Sequence, residues 1–222
     1  MENAVPLVRD FLGDAALRIG FIPFASVQTS YDEFAGMVKQ AFSLLPYTID
    51  TVSGENAGKV IKNADAIMVG GGNTFKLLHD IYDSHLFELI QHKVINGTPY
   101  IGWSAGANIT GKSIGTTNDM PIIQPKSFSA FGFFPFQINP HYINNKTKNH
   151  NGETRDQRIE EFVTLNPDVP VAGLPEGSAL VLENDSVRFI GNKKGVVFLS
   201  DSNKGLQKIK ISKGKDLSFL LK

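Results

Sequence analysis

Apolar positions along this chain fall into two alternating spacings. Short, largely apolar runs at residues 17–24, 66–69 and 99–103 have the length of buried strands. Between them the apolar positions recur every three to four residues, as on one face of a helix. Phe34, Met37, Val38, Ala41, Phe42 and Leu45 trace one such face, and Ser30 with Glu33 ahead of them has the spacing of a capping box. A second helix is expected from about Thr74, with Leu77, Leu78 and Ile81 inward, after a turn made of Gly70, Gly71 and Gly72. Strands alternating with helices predict an α/β fold with a mostly parallel central sheet and flanking helices.

The pattern then changes twice. Residues 120–142 hold Pro121, Pro125, Pro135 and Pro140 among closely spaced aromatics, and read as loop. After a helix expected over residues 156–165, the segments 169–174, 178–182, 187–190, 196–200 and 207–211 read as short strands joined by tight turns, so the C-terminal part is expected to be antiparallel. No linker or repeat divides the chain, and one domain over residues 1–222 is expected.

Composition narrows the chemistry. At 222 residues and 41% hydrophobic the chain can bury one full core. Lys plus Arg and Asp plus Glu are both 22, so no long-range field draws it to nucleic acid or an anionic membrane over neutral or zwitterionic partners, and a small substrate is expected. The sequence fixes no oligomeric state and is compatible with a homodimer. Without cysteine there is no disulfide, thiolate nucleophile or cysteine-zinc site. Glu2, Arg9, Asp10 and Asp14 interrupt the N-terminal stretch, which is not a secretory signal, and no apolar stretch approaches the roughly 18 residues of a membrane span. A cytoplasmic location is expected.

The sharpest local motif is Gly102-Trp103-Ser104-Ala105-Gly106, a G-x-S-x-G pentapeptide directly after a strand and before a helix start. Small flanking residues let the serine stand on a tight strand-to-helix turn, where helix-terminal N–H groups favour a developing negative charge. Serine needs a base and the base needs an orienting group. Of five histidines, His79, His85 and His92 lie among charged helix residues, and His150 lies in a polar loop. His141, closing an apolar segment behind Pro140, is the best base. Asp119, after Thr116, Thr117 and Asn118, and Glu176, where a strand leaves the sheet, are candidate orienting acids, with a solvated turn carboxylate as the alternative for each. The triple glycine lacks the lysine of a P-loop and suits an oxyanion hole, with Gly72 N–H and Ala105 N–H as donors, or else a plain tight turn.

Six stretches then occur in one order: GGGNTF (70–75), GWSAGAN (102–108), TTNDMPI (116–122), QINPH (137–141), GETRDQRI (152–159) and GLPEG (173–177). Together they resemble peptidase E, the aspartyl dipeptidase family, over nearly the whole chain. The resemblance implies a class I glutamine-amidotransferase-like fold and hydrolysis of dipeptides with N-terminal aspartate, with no metal or other cofactor. It implies Ser104 as nucleophile, His141 as base and Asp119 as the acid, with Glu176 the second candidate. It places Arg155 and Asn73 on the substrate side, Arg155 as a clamp on the substrate aspartate; a surface salt bridge is the plainer role for that arginine. The family opens with an apolar strand before the helix corresponding to residues 4–12, so a sheet without that strand is expected. A cyanophycinase-like β-aspartyl hydrolase and a non-catalytic peptide-binding relative are the competing readings.

Overall fold

A computed structural model describes residues 4–143, 152–201 and 204–222. Helix α1 (Val5–Leu12) leads into β1 (Leu17–Ile22), α2 (Tyr31–Ala41), β2 (Tyr47–Thr51), α3 (Ala57–Asn63), β3 (Ala66–Val69), α4 (Thr74–Asp83), α5 (Phe87–Ile95), β4 (Tyr100–Gly102) and the short α6 (Ala105–Asn108). Then follow β5 (Gln137–Pro140), α7 (Arg155–Leu165), β6 (Val171–Leu174), β7 (Ser178–Glu183), β8 (Ser186–Gly191), β9 (Gly195–Asp201) and β10 (Gly205–Ile211).

The first sheet has the order β2-β1-β3-β4, with every pairing parallel. Alternation along β1 and β3 sends side chains to two separate cores. Ile19, Phe21, Ala66 and Met68 pack with Val8 of α1 and Ala35 and Val38 of α2. Ile22, Ile67 and Val69 pack with Ile61 of α3, Leu77, Leu78 and Ile81 of α4, and Ile90 of α5. Strands covered on both faces are apolar throughout, which is why β3 is four buried residues in a row. At the start of α2, Ser30 and Glu33 form the expected reciprocal capping box.

The remaining strands build a second sheet, β10-β9-β6-β5, and a separate β7-β8 hairpin. The antiparallel character expected here holds for β6–β9, β9–β10 and β7–β8, while β5 and β6 run parallel. One face of this sheet packs Phe136, Ile138 and Ala172 against Val187 and Phe189 of the hairpin. Its other face packs Val171, Val196 and Phe198 against Ile159 and Val163 of α7.

Three elements depart from the expectation. Strand β5 lies inside the stretch read as loop: four residues ended by a proline give too short a pattern to detect. The expected helix from Thr74 onward is two helices, because the chain turns at His85, whose φ is 55°. Residues 46–65, too short and mixed in pattern to predict an element, form β2 and α3. Among the described residues no helix is long and apolar enough to cross a membrane.

The two sheets meet where α6 lies beside β5. The strand-to-helix turn there is packed without slack: a Cβ on Gly106 would lie 2.4 Å from the Val69 carbonyl oxygen, and one on Gly102 would lie 2.2 Å from that of Gly106. Contact with fixed backbone cannot be relieved by a rotamer change, so Gly106→Ala is expected to lower unfolding free energy by about 2–4 kcal/mol. Urea unfolding followed by circular dichroism checks this; a loss under about 0.5 kcal/mol would contradict the packing.

Candidate active site

The candidate site residues stand at the carboxyl ends of four strands. Residues 70–72 follow β3, Ser104 follows β4, His141 follows β5 and Glu176 follows β6. Carboxyl ends of parallel strands are where open α/β sheets gather their ligands.

Ser104 caps the start of α6 with φ 54° and ψ −114°, a conformation that L residues rarely hold. Its carbonyl accepts from Ala107 N–H at 3.0 Å and Asn108 N–H at 2.9 Å, so the backbone enters the helix while the side chain stays outside it. The preceding Trp103 is anchored by stacking on Phe21 at 5.9 Å and by an edge contact with Phe34 at 6.4 Å. His141 also has positive φ, 54°. Pairing of β5 with β6 runs through Pro140 opposite Leu174, and Tyr142 N–H resumes it by donating to the Leu174 carbonyl at 2.9 Å. His141 is thereby lifted out of the sheet between two fixed neighbours.

Those two strained residues meet. His141 Nε2 lies 2.7 Å from Ser104 Oγ, and its Nδ1 is hydrogen-bonded to Glu176 Oε1. Glu176 is presented by a turn in which the Pro175 carbonyl accepts from both the N–H and the hydroxyl of Ser178, with Gly177 at φ 78°. The place beside His141 that the sequence analysis gave first to Asp119 is therefore held by Glu176. Parallel register explains the difference: β5 and β6 are neighbours, so the residues just beyond their ends come together although 35 positions apart.

Asp119 stands elsewhere in the site. Its Oδ2 accepts from Thr74 N–H at 2.7 Å, Thr74 Oγ1 at 2.6 Å and Thr117 Oγ1 at 3.2 Å, which caps the first turn of α4. Asn73 is also engaged: its Oδ1 accepts from Lys76 N–H at 3.0 Å as helix N-cap, and its Nδ2 donates to the Met120 carbonyl at 2.8 Å. Both polar ends of the side chain thus make one bond each within the protein, and a second Nδ2 N–H remains beyond these two bonds.

The glycine turn is wedged against Ser104. A Cβ on Gly71 would lie 2.8 Å from Ser104 Cβ, and one on Gly72, at φ 139°, would lie 2.2 Å from the Ala25 carbonyl oxygen. Among the described residues no carbonyl takes the Gly72 or Ala105 N–H. Beyond the turn an open cleft of about 360 Å³ runs between it and the 25–29 loop, with Val27, Phe34 and Met37 on its walls.

Arg155 opens α7 behind its N-cap Thr154. It is half-buried, and its Nη1 is buried without a hydrogen-bond partner. Burial depresses the guanidinium pKa, Arg158 lowers it further, and nearby Asp119 opposes both. The surface ion pair in this segment belongs instead to Arg158 and Glu153, at 3.5 Å. His85 and His92 are exposed, and His79 is bound to Asp80 at 2.8 Å. His150 lies outside the described residues.

A sequence profile described as peptidase family S51 matches residues 1–190. The chain belongs to peptidase family S51. Membership makes it a serine peptidase. Peptidase E of Nostoc sp. PCC 7120 is 50% identical over 192 residues, 86% of this chain and 79% of that protein. Peptidase E of Shewanella sp. ANA-3 is 45% identical over 223 residues, covering all of this chain and 92% of that protein. Among solved structures, a peptidase from an acI-B1 actinobacterium superposes with a TM-score of 0.66 at 20% identity, over 98% of this chain and 89% of that one, a likeness of fold.

Several residues that build this S51 site escaped the sequence analysis. Buried Asn108 donates through Nδ2 to the Ile138 carbonyl at 2.8 Å, joining the helix after Ser104 to the strand before His141. Asn139 donates to the Thr116 carbonyl and to Asn118 Oδ1, both at 2.8 Å. Tyr142 and Lys208 both bind the carboxylate of buried Asp156, which links the residue after His141 to the residue after Arg155. Asparagines placed two residues before or after a polar motif were the available signal. An asparagine on an apolar strand, as Asn139 is, calls for a buried partner.

Asp156→Ala would leave the Tyr142 hydroxyl and the Lys208 ammonium without their acceptor. It is expected to cost about 1–3 kcal/mol in urea unfolding. Tyr142→Phe, which removes only one donor, is expected to cost less in the same measurement.

Proposed function

We propose that this S51 peptidase hydrolyses dipeptides with an N-terminal aspartate, through an acyl-enzyme on Ser104. The observation that carries the reading is the unbroken hydrogen-bond chain from Ser104 Oγ through both nitrogens of His141 to Glu176. Glu176 holds the Nδ1–H tautomer, which leaves Nε2 free to accept the serine proton.

As Ser104 Oγ bonds to the carbonyl carbon of the aspartyl residue, its proton passes to His141 Nε2 and the carbonyl oxygen becomes an oxyanion. Gly72 and Ala105 N–H groups, both without an internal acceptor among the described residues, are donors available to that oxygen. One such donor is worth about 3–4 kcal/mol in the transition state. Collapse breaks the C–N bond, and the imidazolium returns its proton to the departing amine. Water then attacks the ester with His141 again as base, releasing aspartate and restoring Ser104.

Selection for aspartate falls to Arg155. A guanidinium held half-buried with an unsatisfied N–H is poised for a carboxylate, which would meet it with two parallel hydrogen bonds. The names of the relatives, peptidase E, agree with a peptidase role and do not reach to the substrate. The complete hydrogen-bond chain weighs against a non-catalytic binding protein.

Ser104→Ala is expected to fold normally and to hydrolyse Asp-Leu at background rate; full activity would refute the nucleophile. Glu176→Gln, which frees the imidazole to take the wrong tautomer, is expected to lower kcat by about 10²–10⁴-fold. Arg155→Ala is expected to reduce the ratio of Asp-Leu to Ala-Leu turnover by about 10²-fold, read as kcat/KM. An unchanged ratio would remove Arg155 from substrate selection.

A further inference from the structure

The loop between β1 and α2, residues 23–30, is clasped at both ends by one side chain of α4. Lys76 Nζ, from the first turn of that helix, donates to the Phe24 carbonyl at 3.0 Å, to the Tyr31 hydroxyl at 2.7 Å and to Asp80 Oδ2 at 2.6 Å. Three acceptors match the three N–H donors of an ammonium group, so its hydrogen bonding is complete within the protein. The Tyr31 hydroxyl in turn donates to Asp80 Oδ2 at 2.8 Å, and the Tyr31 ring lies against that of Phe24 with centroids 5.6 Å apart. Burial opposes the charge on Lys76, but its hydrogen bonds to Asp80 and Tyr31 outweigh burial and hold the ammonium pKa above the usual lysine value. Phe24 and Tyr31 bracket residues 25–30, and Lys76 binds both.

This clasped loop bears on the glycine turn. Gly70 N–H donates to the Ile22 carbonyl at 3.0 Å and Asn73 N–H to the Ala25 carbonyl at 2.9 Å, so the segments that follow β1 and β3 stay joined beyond the ends of their strands. A Cβ on Gly72 would fall 2.2 Å from the Ala25 carbonyl oxygen, so Gly72 lies directly against the residue that follows Phe24. Asp119 and Asn73 hold the helix after the glycine turn, whereas the Ala25 contact is made on the turn itself. We propose that Lys76 is a positioning residue for the reaction: by fixing the Phe24 carbonyl it fixes Ala25, and through Ala25 the direction in which the Gly72 N–H points. This rests on the reading of Gly72 as an oxyanion donor given above. A donor lowers the barrier only when it is aimed in advance at the place where charge develops, and displacement of a reacting group by about 1 Å can cost about 10²-fold in rate. Lys76 thus acts through the loop and the turn, with no contact to the substrate.

Lys76→Met keeps a long apolar stem and removes all three donors. With the full chain and Asp-Leu as substrate, it is expected to lower kcat by about tenfold or more while KM changes by less than about threefold, the pattern of an interaction made only in the transition state. The direct probe is the aspartate analogue with B(OH)2 in place of the α-carboxyl group, because addition of Ser104 Oγ to boron gives a tetrahedral adduct with an oxygen in the oxyanion position. Its Ki is expected to rise in Lys76→Met by the factor by which kcat falls, with the Ki of aspartate unchanged. A folded Lys76→Met protein that retains both kcat and boronate affinity would overturn the proposal, as would equal losses of boronate and aspartate binding, the sign of a site disturbed as a whole. Should Lys76→Met fail to fold, Tyr31→Phe decides. It removes one acceptor of the ammonium and is expected to weaken boronate binding relative to aspartate by about two- to threefold; an unchanged ratio would overturn the proposal. Failure of the oxyanion reading itself shows differently, as equal affinity of the unaltered protein for the boronate and for aspartate.

Discussion

A serine from one sheet must be held 2.7 Å from a histidine of another, and among the described residues no strand pairing joins the two. Strand β4 ends the first sheet and β5 ends the second, so the ladder hydrogen bonds that fix register inside each sheet stop short of the boundary. Side-chain amides do that work instead. Asn108, with no exposed surface, and Asn139, 2% exposed, reach carbonyls on the facing segments, and Thr116 adds a hydroxyl to the Ile138 carbonyl at 3.1 Å. Apolar packing alone lets two layers slide by small amounts. Buried hydrogen bonds do not, because leaving one unmade costs about 1–3 kcal/mol.

The hydrogen-bond chain Ser104–His141–Glu176 cannot supply this rigidity itself. The His141 side chain is 49% exposed and that of Glu176 63%, so their contact is well solvated and contributes little to stability. Meanwhile Ser104 and His141 both hold positive φ, at a cost of about 1–3 kcal/mol each. Such residues persist only where neighbours leave them no alternative. Around Ser104 the neighbours are backbone atoms packed against Gly71, Gly102 and Gly106. Around His141 they are the β5–β6 pairings on either side of it.

What the sequence made legible follows from how far each signal reaches along the chain. Strand β3 and helix α2 declare themselves within a dozen residues, through an unbroken apolar run and a capping box. The serine turn is equally local, since Gly102 and Gly106 carry its steric requirement within five positions. Strand β5 was hidden because its four residues sit between an aromatic loop and a proline, and its partner β6 lies some 30 residues on. Choosing between Asp119 and Glu176 depended on the same unseen pairing. Thr116 and Thr117 did mark residue 119 as a bound carboxylate, but their presence could not say whether an imidazole or a helix start was being bound. The links from Tyr142 to Asp156 and from Asn108 to Ile138 cross between elements and left no periodicity to read.

Asp119 gains meaning once it is separated from the imidazole. A carboxylate on the first turn of α4 stabilises that helix end, and the glycine turn directly precedes the helix. One residue away, Asn118 holds the carbonyl of Pro140, immediately before His141. The segment 116–120 therefore touches both the donor side and the base side of the site. A displacement that moved the Gly72 N–H relative to His141 would have to break the Thr74–Asp119 bonds, the Asn73–Met120 bond or the Asn118–Pro140 bond. The glycine turn and His141 are thus held to one another through residues 116–120, so the relative position of the two sides of the site depends on a few side-chain hydrogen bonds.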